Sequence, residues 1–291
     1  VTAQLLASAL VTGMLYALIA VSLNLIYGTM RVLNLAHGDL SMIGAFTAYW
    51  AFSLGGISPI ISIFIAAALT AGFGVLVYKG LVTRIFRKAR NLDRIEANSL
   101  LIFYGLSIVL ENLATYWFSG TPRGYDYFNE IIHVFGVSLA ANRLVTLGVA
   151  LVAISGVLLF FRFSIWGMAV RALIQNRDAS SLMGIDLDRV FMLAIALGFG
   201  LAGIAGVLDS MQEAVTPFMG LHFTIAAFVI IILGGLGNLI GSAVGGILLG
   251  LLETFGIAVT GPNYRSILIY GVFIVILILR PQGLFGSKVQ T

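Results

Sequence analysis

Cysteine is absent from the 291-residue sequence. That excludes a disulfide framework, a thiol nucleophile, an iron–sulfur cluster and a cysteine-ligated zinc site. Charge is scarce: Asp, Glu, Lys and Arg make up 10% of the chain, against about 25% in an ordinary soluble domain, so a water-soluble globular fold is excluded as well. The phosphate loop Gly-x-x-x-x-Gly-Lys-Ser/Thr is missing, as are Gly-x-Ser-x-Gly and His-Glu-x-x-His. The chain therefore has no motif for binding and hydrolysing ATP or for these hydrolytic chemistries. Tyr125-Asp126 matches half of an intramembrane aspartyl protease signature, but no Gly-x-Gly-Asp follows in a second span. The histidines His37, His133 and His222 lack paired spacing, so no metal site is expected. The net charge of +4 is small, and no nucleic-acid partner is expected.

What is abundant is apolar surface. Hydrophobic residues make up 60% of the chain, and the mean hydropathy is +1.06. At roughly 20 residues per span this is material for about eight crossings. Runs such as Ile225 to Leu233 are apolar on every side, whereas barrel strands alternate. The expected fold is an all-α polytopic membrane protein of about eight transmembrane helices, forming a single transmembrane domain over 1–291. The apolar windows are 4–27, 37–53, 57–78, 99–118, 143–161, 190–209, 223–233, 238–257 and 265–279. Those at 37–53 and 223–233 are short for about 30 Å of hydrocarbon and are expected to be re-entrant or half of a broken helix. No basic leader is expected ahead of the first span, since the first charged residue is Arg31.

Basic residues cluster in two connections, Lys79, Arg84, Arg87, Lys88, Arg90 and Arg94, then Arg162, Arg171, Arg177 and Arg189. The positive-inside rule places loops 79–98 and 162–189, and the tail with Arg280 and Lys288, in the cytoplasm. Loop 119–142, with Trp117, Tyr125 and Tyr127 at interface depth, then faces outward. The side of the N-terminus stays open. The chain also carries a faint two-half repeat. An early break runs from Tyr27-Gly28 through Asn34-Leu-Ala-His37-Gly38-Asp39, and a late one runs Leu233-Gly-Gly-Leu-Gly-Asn238. Paired glycine-interrupted segments in two halves point to a transporter's binding region.

The 34 glycines fall in part at helix-packing spacing, as in Gly198, Gly200, Gly203 and Gly206, or Gly241, Gly245, Gly246 and Gly250. Asn34, His37 and Asp39 stand in an apolar setting, where polar groups are costly enough to imply a bundle-facing or cavity-facing role. Two readings are compatible: Asn34 or Asp39 caps freed helical N–H groups, or the cluster meets the solute at a half-helix N-terminus. Glu111, Asp209, Glu213 and Glu253 lie in or beside spans. They would serve a proton-coupled carrier, or pair with Arg and backbone donors near span ends.

The stretch from Ser164 to Ile185 is too polar to span and too apolar for a free loop. A short amphipathic helix is expected from Met168 to Met183, closed by Gly184 as C-cap. Such a helix suits a groove on another protein or the membrane surface.

Four ordered segments carry a resemblance: Asn34 to Asp39, Arg171 to Asp186, Leu233 to Asn238, and Arg280-Pro-Gln-Gly283-Leu-Phe-Gly286. Together they resemble the permease subunits of the branched-chain amino acid family of ABC importers, from about residue 5 to 286, and the Asn-x-x-His-Gly segment looks like the shorter permease of the pair. The resemblance implies a heterodimer with a second related permease, two cytoplasmic ATPases and an external solute-binding protein. ATP and Mg would be used by those ATPases, with no cofactor held by this chain. By the same analogy 168–184 is the coupling helix, with Arg171, Gln175, Asn176, Arg177, Asp178 and Gly184 facing an ATPase. The translocation pathway would involve Asn34, His37, Asp39, His222 and Asn238. Family members often carry Lys where this chain has His222, and an imidazole is not an obligate cation. Import of urea or short amides is the alternative within the family. A proton-coupled carrier or channel is the alternative outside it.

Overall fold

The computed structural model describes residues 2–88, 92–134, 136–279 and 283–285. Its first helix, α1 (Thr2–Met30), is apolar all round, and from Ala9 onward almost every residue is buried. A helix without a polar face belongs at the centre of a bundle. At 29 residues it is about 44 Å long, longer than the roughly 30 Å of hydrocarbon it has to cross.

The other elements surround it. They are α2 (His37–Gly55), α3 (Pro59–Val77) running on through a π-helical turn (Tyr78–Val82) into α4 (Thr83–Lys88), and α5 (Leu92–Phe118). After a hairpin of β1 (Ile131–Val134) and β2 (Val137–Ala140) come α6 (Ala141–Phe163), α7 (Ile165–Gln175) and α8 (Arg177–Leu182). The chain continues through α9 (Leu187–Ser210), α10 (Met219–Gly234), α11 (Leu239–Thr260), a 3-10 turn (Pro262–Tyr264) and α12 (Arg265–Leu279). The antiparallel hairpin, Ile131 opposite Ala140, lies in the loop expected to face outward.

Small residues set the close packing. Gly13 and Ala17 on α1 face Gly246, Ile247 and Gly250 on α11, so that a methyl added at Gly246 or Gly250 would overlap α1 backbone. The four-residue spacing of glycines lets the two backbones approach. On α9, Gly198 meets α1 at Ser22 and Ile26, Gly203 meets Thr70 of α3, and Gly206 meets the Ser41 carbonyl of α2. One helix thus presents glycine to three neighbours.

The bundle has two distinct ends. At one, Gln4 hydrogen-bonds the backbone of Ser138, Arg143 reaches Ser8 and Arg123 bridges Val215. At the other, Tyr27 donates to Glu96, Tyr78 donates to Asp188 and α7 folds under α6. The connections containing 79–98 and 162–189 therefore share one end, as the charge distribution predicts, and the start of α1 sits at the opposite, hairpin end. Arg90, Arg280 and Lys288 lie outside the described residues, as do the side chains of Arg87, Lys88, Arg177 and Asp178.

Among the described residues, six helical stretches are long and apolar enough to cross a membrane: Thr2–Met30, Pro59–Phe86, Arg94–Phe118, Ala141–Phe163, Leu187–Ser210 and Leu239–Thr260. The expected count of about eight is reached only if two of α2, α10 and α12 also cross. The first of these, α2, starts inside the bundle. Its first residue, His37, bonds to Ser22, eight residues or about 12 Å short of the end of α1. It then runs to the hairpin end, where Phe46 stacks on Phe118 and Phe52 packs on Tyr125. The short apolar window at 37–53 is thus a helix that begins inside the bundle and not at its end.

Candidate functional site

The two glycine breaks are brought to the same helix. Ser22 and Asn24 on α1 are two residues apart, hence about 200° apart around the helix, and each holds one break. Ser22 Oγ lies 2.7 Å from His37 Nε2 and donates to the Ile19 carbonyl, so it accepts from an imidazole protonated at Nε2. Asn24 Oδ1 accepts from Gly237 N–H at 2.7 Å, while Asn24 Nδ2 donates to the Gly235 and Asn238 carbonyls and to Ser242 Oγ. Glycine is required in the late break: Gly235 and Gly237 have φ of 97° and 83°, where a side chain is strained.

Asn34, His37 and Asp39 are all buried, at 0%, 0% and 3% exposure. They do not act as the caps that the sequence suggested. The N-cap of α2 is Ala36, which has no capping side chain, and neither polar atom of the Asn34 amide makes a protein hydrogen bond among the described residues. The Gly38 N–H is capped from another helix: Thr224 Oγ1 of α10 accepts it at 2.9 Å and donates to the Leu35 carbonyl at 3.0 Å. His37 Nδ1, Asp39 Oδ2 and Ser41 Oγ are likewise buried without a protein partner. Buried polar groups are ordinarily satisfied, so this concentration over 34–41 marks the early break as a place where polar groups are held for more than packing. Beside it, α10 begins with Gly220 directly against Asp39.

His222 is not part of that cluster. Its Nε2 lies 3.2 Å from Tyr16 Oη, and Tyr16 Oη accepts from Arg265 at 3.2 Å, which in turn pairs with the buried Glu253. Glu253 thus has the arginine partner that the simpler reading of span carboxylates expected. Asn238 caps α11 by accepting from Gly241 N–H at 2.9 Å, and its Nδ2 donates to the Phe285 carbonyl. It also lines a cavity of about 850 Å³ at the basic end, with Asn24, Gly28, Arg162, Arg171 and Phe285. The residues that the resemblance placed on the pathway therefore fall into three places: the early break (Asn34, His37, Asp39), a charged cluster toward the hairpin end (His222) and the basic-end cavity (Asn238). At the hairpin end, the Tyr125 hydroxyl bonds Ser210 at 2.8 Å, and burial pushes its pKa up to about 12.

The expected single helix over 168–183 is two helices. Asn176 ends α7 and starts α8, its Oδ1 accepting from Ala179 N–H at 2.9 Å. An asparagine side chain competes well for such an N-cap. Gly184 closes α8 as expected, at φ 82°. Gly184 N–H bonds Ser181 and Ile185 N–H bonds Ser180, the paired contacts of a Schellman motif. Arg171 is not free to face a partner with its whole guanidinium. It donates to the Phe161 and Arg162 carbonyls and so ties α7 to the end of α6. Gln175 is exposed at the elbow.

Sequence reasoning missed Ser22, Asn24 and Thr224. An amide inside an apolar span is a signal by itself, and Asn24 could have been found that way.

A helical bundle of long apolar helices, with a broken segment and buried polar groups at its breaks, is the architecture of an all-α polytopic membrane protein. A family model described as the permease component of the branched-chain amino acid transport system matches residues 5–277. The high-affinity branched-chain amino acid transport system permease protein BraD of Pseudomonas aeruginosa is 30% identical over 97% of this chain and 95% of its own. Its counterpart LivH of Escherichia coli is 30% identical over 94% of this chain and 92% of its own. The Escherichia coli permease protein LivM is 26% identical over 93% of this chain and 68% of its own. Among solved structures, PsaBC from Streptococcus pneumoniae in complex with Fab gives a TM-score of 0.52 at 14% identity, over 96% of this chain and 92% of that one, a likeness of fold alone. The chain belongs to the branched-chain amino acid transport permease family.

Proposed function

We propose that this permease is one half of an ATP-driven importer for branched-chain or similarly apolar amino acids. In this reading it pairs with a second related permease, as the likeness to both LivH and LivM suggests, and receives solute from an external binding protein. Two cytoplasmic ATPases, using ATP and Mg, dock at the basic end. The observation that carries the reading is the α7–α8 elbow. It projects from the basic end with Leu182 and Met183 at 88% and 83% exposure, while Val170 and Leu173 anchor it from below. Exposed apolar side chains on a rigidly tied helical elbow fit a groove on another protein. ATPase closure would move the elbow and, through Arg171, the end of α6.

Reconstitution with the ATPases tests this. Arg177→Glu should uncouple ATP hydrolysis from uptake while the complex still assembles, and undiminished uptake by the permease without any ATPase would sink the importer reading. Arg171→Glu is the less clean variant, because its guanidinium also holds the end of α6.

A further inference from the structure

A cluster of charges toward the hairpin end is used by neither break. A cavity of about 80 Å³ lies there, its polar wall formed by Arg143, Asp209, Glu213 and Arg265. Val11, Leu15 and Phe223 complete it with apolar surface. Arg265 is already engaged with Glu253 and Tyr16. The described contact of Arg143 is one hydrogen bond to Ser8 Oγ at 3.3 Å. The side chains of Asp209, at 9% exposure, and of the exposed Glu213 make no hydrogen bond or ion pair among the described residues.

Opposite charges thus line one cavity without closing on each other. Such an arrangement carries the cost of desolvation without the return of pairing. A ligand bearing both charges supplies that return, with an ammonium toward the carboxylates and a carboxylate toward the guanidinium. At about 30 Å³ per water-sized group, a cavity of about 80 Å³ has room for two or three such groups, which suits an ammonium and a carboxylate side by side. The side chain then meets Leu15 and Phe223. Urea or a neutral amide would complement neither charge. Tyr16 links Arg265 of the cavity to His222 of α10, two residues beyond Gly220, which packs against Asp39 of the early break.

We propose that this cavity is a binding subsite for the charged head of an α-amino acid, Asp209 receiving the ammonium and Arg143 the carboxylate. The proposal rests on the amino-acid reading above and sharpens it.

The test is binding of radiolabelled leucine to the full-length permease with its copurifying partners in nanodiscs. The competitors are 4-methylpentanoate, which lacks the ammonium, and 3-methylbutylamine, which lacks the carboxylate. Leucine should compete roughly tenfold or more better than either. Asp209→Asn should abolish discrimination against the acid, and Arg143→Gln discrimination against the amine. Should Arg143→Gln fail to assemble, Arg143→Lys keeps the charge, loses the planar fork, and should weaken leucine but not the amine. Unchanged leucine affinity in these variants, discrimination that survives in them, or no leucine binding by the wild type overturns the subsite. Uptake by whole cells separates the two readings: transport of urea without leucine removes the amino-acid reading itself, whereas leucine uptake with an unaltered KM in both variants removes the subsite alone.

Discussion

The most consequential single residue is Asn24, whose amide holds the late break through four hydrogen bonds, between 2.6 and 3.2 Å. Asn24→Leu keeps the volume and strips them all. With a net contribution of about 1 kcal/mol per bond, the loss should be about 2–4 kcal/mol, read as a lower Tm of the detergent-purified protein. His37 is the contrasting case. It makes one described hydrogen bond, to Ser22, and sits among polar atoms without protein partners. His37→Leu should reduce transport more than assembly, and a collapse in complex yield instead would assign it to holding the break alone. Legibility at this scale follows how a side chain is satisfied. Asn24 stands out in an apolar run, but Ser22 bonds back to Ile19 within its own helix, as serines in spans commonly do, and shows nothing in sequence of its reach to His37. The pairing of Arg265 with Glu253 joins α11 to α12. Sequence pattern leaves that partner open, since neither charge has a neighbour at helical spacing.

Among the elements, the apolar windows are close to the helices observed, because burial in lipid or bundle demands the same continuous apolar run in both. The short windows at 37–53 and 223–233 correspond to α2 and α10, the pair that begins within the bundle. What periodicity could not resolve is the elbow, where the whole of 168–183 contains good helix formers and one asparagine amide breaks it by capping. Asn176→Ala should remove about 1 kcal/mol of cap and favour one straight helix. The expected result is a lower ratio of solute taken up to ATP hydrolysed in proteoliposomes, at normal assembly. A ratio equal to wild type would mean that the bend itself is idle.

For the whole molecule, the cysteine-free sequence makes orientation directly measurable. Glu130→Cys at the hairpin end should react with a membrane-impermeant maleimide on intact cells. Met183→Cys, at the tip of the elbow, should react only after permeabilisation, and the reverse pattern would invert the importer. The central helix carries a mechanical consequence of its own. Its two hydrogen-bonded grips leave it on opposite sides, like two racks engaged by one pinion. A small turn of α1 about its axis drives them in opposite directions across the bundle, so one break is drawn along as the other is drawn back. The glycine seam against α11 is the bearing on which that turn would ride, and Gly246→Ala, which touches neither break, should push α1 off that seam and lower uptake.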